Sequence, residues 1–151
     1  ACPAVTPIGI HRFYEWISSG YSGEMKYISG RAKAYEHPDN VLAGVRSLLM
    51  LSMNYRTSAM SQAPDTTGRV SCYAWGSLDY HDVIHARLKK LVQFLKARAP
   101  AAEARGVVDT APLLEREYAQ LAGLGWTWTW SPWLQSLISE IARALYLATH
   151  G

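Results

Sequence analysis

Apolar residues at Ile10, Phe13, Trp16 and Ile17 fall three and four apart, which predicts an amphipathic helix over residues 8–19 with Gly20 as its stop. A second short helix is expected over 24–34, and His37-Pro38-Asp39 then turns the chain. The stretch 45–55 contains Ser-Leu-Leu-Met-Leu-Ser-Met-Asn-Tyr, a nearly unbroken apolar run that reads as a strand buried on both faces. Residues 58–68 are polar, with Pro64, Asp65 and Gly68, and read as a loop leading to a strand over 69–75. The clearest pattern lies over 80–99. Val83, Ile84, Leu88, Leu91, Val92 and Leu95 form an apolar stripe, lysines and an arginine take the other face, and Asp79 stands where a cap is needed. Val107 and Val108 suggest a short strand running into Asp109, and Pro112 is suited to opening a helix that reaches about residue 122. A tryptophan-rich string follows Gly125. The spacing of Leu134, Leu137, Ile138, Ile141 and Leu145 then predicts a last helix over 133–149.

Composition bounds the class. The chain has 151 residues, 49% of them hydrophobic, which fits one globular domain. Its longest apolar run, 48–53, is far shorter than the roughly 20 residues of a membrane span, so a cytoplasmic protein without a membrane partner is expected. A net charge of +3 permits an acidic partner such as RNA without requiring one. The two cysteines, Cys2 and Cys72, have no metal-ligand spacing and cannot ligate an iron–sulfur cluster or a zinc ion by themselves.

Candidate chemistry is sparse, and each candidate has a plainer reading. Asp109 sits between an apolar strand and the mouth of a helix, where partial burial raises a carboxyl pKa toward that of a general acid. On spacing alone the plainer reading is that it caps the helix that Pro112 opens, its carboxylate accepting backbone N–H groups. His81 and His85 lie one helical turn apart and could share a metal, but no third ligand stands at a recognisable spacing and a polar helix start is the simpler reading. Arg116 could address the same pocket as Asp109 or pair with Glu115 and Glu117 on a solvated face. Gly123-Leu124-Gly125 fits a phosphate loop weakly and a turn well.

Four segments resemble the cobalamin-binding half of epoxyqueuosine reductases, in order and approximate spacing. They are Gly20-Tyr21-Ser22-Gly23-Glu24-Met25; Ser71-Cys72-Tyr73-Ala74-Trp75-Gly76 with Asp79-Tyr80-His81; Val108-Asp109-Thr110-Ala111-Pro112 with Glu115-Arg116; and Ala122-Gly123-Leu124-Gly125-Trp126. The resemblance implies reduction of epoxyqueuosine in tRNA to queuosine by cobalamin in its cobalt(I) state, with an aspartate at the position of Asp109 as proton donor. By the same resemblance Ser71, Cys72 and Asp109 lie at the cofactor, and Tyr80, His81 and Arg116 at the substrate. It also implies an α+β fold, a sheet flanked by helices as in nitroreductase-like and cobalamin-trafficking proteins.

The chain departs from the family pattern in places. Cys72 and Tyr35 stand where the family carries arginines, which weakens the expected hold on the cofactor. Nothing after Trp126 resembles the family's further cofactor contacts or its two four-iron clusters. A partial cofactor domain over 1–126 and a divergent tail with a C-terminal helix over 127–151 are therefore expected. The chain alone is expected to be inactive and to need a separate electron donor. The alternative is a module that binds cobalamin without catalysis, or an inactive fragment.

Overall fold

The computed structural model of the chain describes residues 1–53, 68, 76–108 and 111–125, and the backbone of 143–149. Four strands form one antiparallel sheet: β1 (Cys2–Pro3), β2 (Ser47–Leu51), β3 (Ala102–Gly106) and β4 (Arg143–Thr149), in the order β1-β2-β4-β3. Cys2 stands opposite Leu48, Leu49 opposite Leu145, and Ala104 opposite Leu147. Helices α1 (Ile10–Ser18), α2 (Lys26–Ser29), α3 (Tyr80–Arg98) and α4 (Glu115–Leu121) surround it, with 3-10 turns at Ala32–Tyr35 and Pro38–Asn40.

The apolar run of the second strand is buried on both sides, as its composition predicts. Leu48 and Met50 enter one core with Cys2, Val45, Val107, Leu113, Tyr118 and Ala119, while Leu49 and Leu51 pack on the other side against Ile84, Leu88 and Val108. Side chains alternate across an extended backbone, so one strand of five residues feeds two cores. Helix α3 covers the second core with the stripe read from the sequence, and the Asp79 carboxylate accepts the His81 N–H at 2.8 Å to cap it. Helix α1 docks through its aromatic face: the Phe13 and Tyr35 rings lie 4.6 Å apart, and the Tyr14 hydroxyl donates to Glu36 at 2.6 Å.

Three expectations are corrected. The third strand is Ala102–Gly106, and Val107 and Val108 follow it without joining a ladder, although each still plugs one of the two cores. Helix α4 starts at Glu115, after a bend at 111–113, so Pro112 precedes the helix instead of opening it. The chain over 143–149 is a strand lying between β2 and β3, so the expected C-terminal helix is absent there and these residues belong to the same sheet as the front of the chain. Two neighbouring strands offered it complete backbone pairing on both edges, which outweighs a helical spacing of leucines. The loop over 58–68, apart from residue 68, the strand over 69–75 and the tryptophan-rich string lie outside the described residues.

Candidate functional site

Where β3 ends, Arg105, Gly106, Val107 and Val108 form one wall of a cavity of about 520 Å³. Ala111 and Pro112 continue that wall, His85 enters from α3, and Arg31, Ala34, Asn40 and Val41 close the side formed by the 3-10 turns. The position follows from the sheet. Once β3 has left the ladder, its chain passes between the two cores, and the turn segment 31–41 is held opposite it.

Side-chain placement around the cavity is partly fixed. The Arg105 guanidinium donates through Nη1 to the Val41 carbonyl at 2.8 Å, tying β3 to the end of the second 3-10 turn. Asn40 donates through Nδ2 to the Lys33 carbonyl at 2.9 Å. Among the described residues neither Arg31 nor Arg105 forms an ion pair, and no aspartate or glutamate lines the cavity. The described wall is therefore apolar at its base and cationic at its rim.

Asp109 lies outside the described residues, as do Ser71 and Cys72. The residues beside Asp109 in sequence are described: Val107, Val108, Ala111 and Pro112 all line the cavity, and the Ala111 N–H donates to the Val108 carbonyl at 2.9 Å. Helix α4 begins at Glu115 with Leu114 at its N-cap position, five residues beyond Asp109.

The substrate-side candidates are not brought to this cavity. Arg116 is exposed in the first turn of α4 and does not line it. Tyr80 packs against the α3 core, and its ring stacks on His81 at 4.0 Å. His81 serves the helix start, its ring Nδ1 lying 2.8 Å from the same Asp79 oxygen that its backbone N–H reaches. Those two contacts, the backbone one first, hold the Asp79 carboxyl below its ordinary pKa. His85, one turn further on, is the histidine that reaches the cavity. Among the described residues no group of three His, Cys, Asp or Glu side chains is placed to hold a metal ion, and no helix is long and apolar enough to cross a membrane. Gly123 takes φ 75° and ends α4, with the Leu124 N–H bonded to the Ala119 carbonyl, so Gly123 to Gly125 is a helix stop rather than a phosphate loop.

Sequence reasoning missed Arg31, Asn40 and Arg105, and weighed His85 only as half of a metal pair with His81. Arg105 carried a usable signal: Ala102, Ala104 and Gly106 alternate with Glu103 and Arg105, the period of a strand with one charged face. Tyr35, where a cation was expected, packs on Phe13, and Arg31 four residues earlier supplies the positive charge at this corner.

Comparison with known proteins gives a consistent result. Residues 36–110 match the family model described as epoxyqueuosine reductase QueG, DUF1730. The chain is 38% identical over 111 residues to the epoxyqueuosine reductase of Gloeobacter violaceus, an alignment covering 74% of this chain and 34% of that protein. With the enzyme of the same name from Synechocystis sp. it shares 34% over 115 residues, covering 76% and 39%, and with that of Salmonella typhimurium 36% over 116 residues, covering 74% and 30%. The chain thus spans about a third of the length of the curated relatives it matches. No solved structure matches it.

Proposed function

Because the chain belongs to the epoxyqueuosine reductase family, we propose that it forms the cofactor-facing part of an enzyme that removes the epoxide oxygen of epoxyqueuosine in tRNA with cobalamin. The observation that carries this reading is the cavity at the end of β3, because the residues flanking Asp109 on both sides line it. The sheet with helices around it suits the α+β cofactor domain that the resemblance implies.

The residues present fit a corrin at its edge. A cavity of about 520 Å³ lies in the range of roughly 300–1,000 Å³ that encloses a drug-sized ligand, so it would take part of this large cofactor. Val107, Val108, Ala111 and Pro112 would offer the cofactor an apolar wall, and Asn40 would offer an N–H donor to a carboxamide oxygen. Cobalamin, when bound, supplies the two electrons of the reduction. The chain's own contribution would be the proton: Asp109, at the position of the family's proton donor by resemblance, would protonate the departing epoxide oxygen. Two electrons and two protons in all convert the epoxide to the alkene of queuosine and release water. Cys2 and Cys72, the two cysteines of this sequence, cannot ligate an iron–sulfur cluster, so the electrons would come from outside residues 1–151.

The test is Asp109→Asn in a fusion of this chain to the iron–sulfur portion of a relative, with queuosine in tRNA measured by mass spectrometry. Asparagine keeps the size and removes the acid. Turnover should fall at least about a hundredfold while the circular dichroism spectrum is retained. Full turnover by the asparagine variant would make the catalytic assignment wrong.

A further inference from the structure

We propose that Arg31 and Arg105 form a phosphodiester-binding site at the rim of the cavity, reaching the ligand from two parts of the chain that only the fold brings together. The identity of the phosphate's bearer rests on the reading above; the chemistry of the site does not.

Three observations converge. The first is charge. Among the described residues the cavity lining includes two arginines and a histidine and no carboxylate, and neither arginine is neutralised by an ion pair. The second is orientation. Arg105 uses a single N–H on the Val41 carbonyl, which steers the guanidinium and leaves the rest of its five donors for a ligand. A planar fork held in this way suits two oxygens of one phosphate, and a fixed side chain loses less entropy on binding than a free one. The third is surroundings. Val107, Val108 and Pro112 are buried in the wall beside the arginines, and low-dielectric walls strengthen the attraction for an anion over that of an open surface.

The alternative is a pair of solvated surface arginines. It accounts for their exposure but not for the Val41 bond that holds Arg105 in place beside the apolar wall. A phosphodiester could come from the nucleotide tail of the corrinoid or from the RNA backbone, and both present the same singly charged pair of oxygens.

The experiment uses the full chain and its Arg31→Gln and Arg105→Gln variants, with thermal melting to confirm that both variants fold. Affinity is measured for three probes: hydroxocobalamin; cobinamide, which has the corrin without the nucleotide phosphodiester; and an RNA hairpin of anticodon-arm size. Loss of about tenfold or more in each variant for cobalamin, with cobinamide unchanged, places the cofactor's phosphate between the arginines. The same loss for RNA, with both corrinoids unchanged, places the substrate's phosphate there. Equal loss for cobalamin and cobinamide overturns the proposal, because the arginines would then hold the ring. Unchanged affinity for every probe also overturns it while leaving the functional reading intact. If the parent chain binds neither corrinoid, that reading fails separately and the RNA arm decides the phosphate site: a loss there supports it, and no loss or no RNA binding overturns it.

Discussion

Tyr118 ties helix α4 to the first residues of the chain. Its ring is 1% exposed, its hydroxyl donates to the Val5 carbonyl at 2.8 Å, and its own carbonyl lies 3.6 Å from the Cys2 Sγ. Tyr118→Phe keeps the ring and loses the hydroxyl bond. Val5 is 43% exposed and its freed carbonyl can reach water, so a loss of about 0.5–1.5 kcal/mol is expected, read as a lower melting temperature. Burial raises the pKa of both the Tyr118 phenol and the Cys2 thiol. The unfolded chain therefore gives up these protons at lower pH than the native one, and above the unfolded values the native state binds more protons. Stability that is complete at neutral pH should decline from about pH 8.5 as the thiol titrates, and further above about pH 10 as the phenol does. A melting series from pH 7 to 11 checks this. In Tyr118→Phe the part of the decline above pH 10 should shrink, and an unchanged profile would show that the phenol is not the group responsible.

The contact between α3 and β3 depends on a missing side chain. A β-carbon at Gly106 would stand 2.8 Å from the Leu88 Cβ, which is fixed to the helix backbone and cannot swing aside. Gly106→Ala therefore forces the helix and the strand apart, at a cost of roughly 1–3 kcal/mol as in other overpacked cores. The urea midpoint should fall with the slope unchanged, and an unaltered midpoint would mean that the two elements yield freely. Helix α3 itself was legible in the sequence because its apolar stripe runs unbroken from Val83 to Leu95 and Asp79 marks its start. The strand beneath it was not. Ala-Glu-Ala-Arg-Gly has no β-branched or aromatic residue, so it gave no strand signal except alternation, and Val107-Val108 drew the assignment onto the residues that follow it.

At the scale of the whole molecule, β4 is the strand that closes the sheet. Strands β2 and β3 do not pair with each other; each pairs with β4, through the registers Ser47 to Leu51 and Ala102 to Gly106. Removing residues 143–151 should leave both edges open and split the sheet, since unpaired backbone groups in a covered sheet are costly. Cooperative urea unfolding followed by far-ultraviolet circular dichroism should disappear in the shortened chain. Retention of the full-length midpoint would show that the sheet holds without its fourth strand.

The sequence by itself determined the elements whose signal is local and long: the doubly buried run at β2, the capped stripe of α3 and the aromatic spacing of α1. It also determined the family, through the motifs around Gly20, Ser71, Val108 and Gly123. Tertiary structure decided the rest. Whether 143–149 is helix or strand depends on pairing with β2 and β3, because a short apolar segment fits either period. The cavity draws on residues 31–41, 85 and 105–112, segments too far apart in the chain for any spacing rule to join, and Arg105 acquires its place there only when it bonds the Val41 carbonyl across 64 positions. A hydrogen bond between distant residues leaves no period in the sequence, so the rim of the site became visible only in the folded chain.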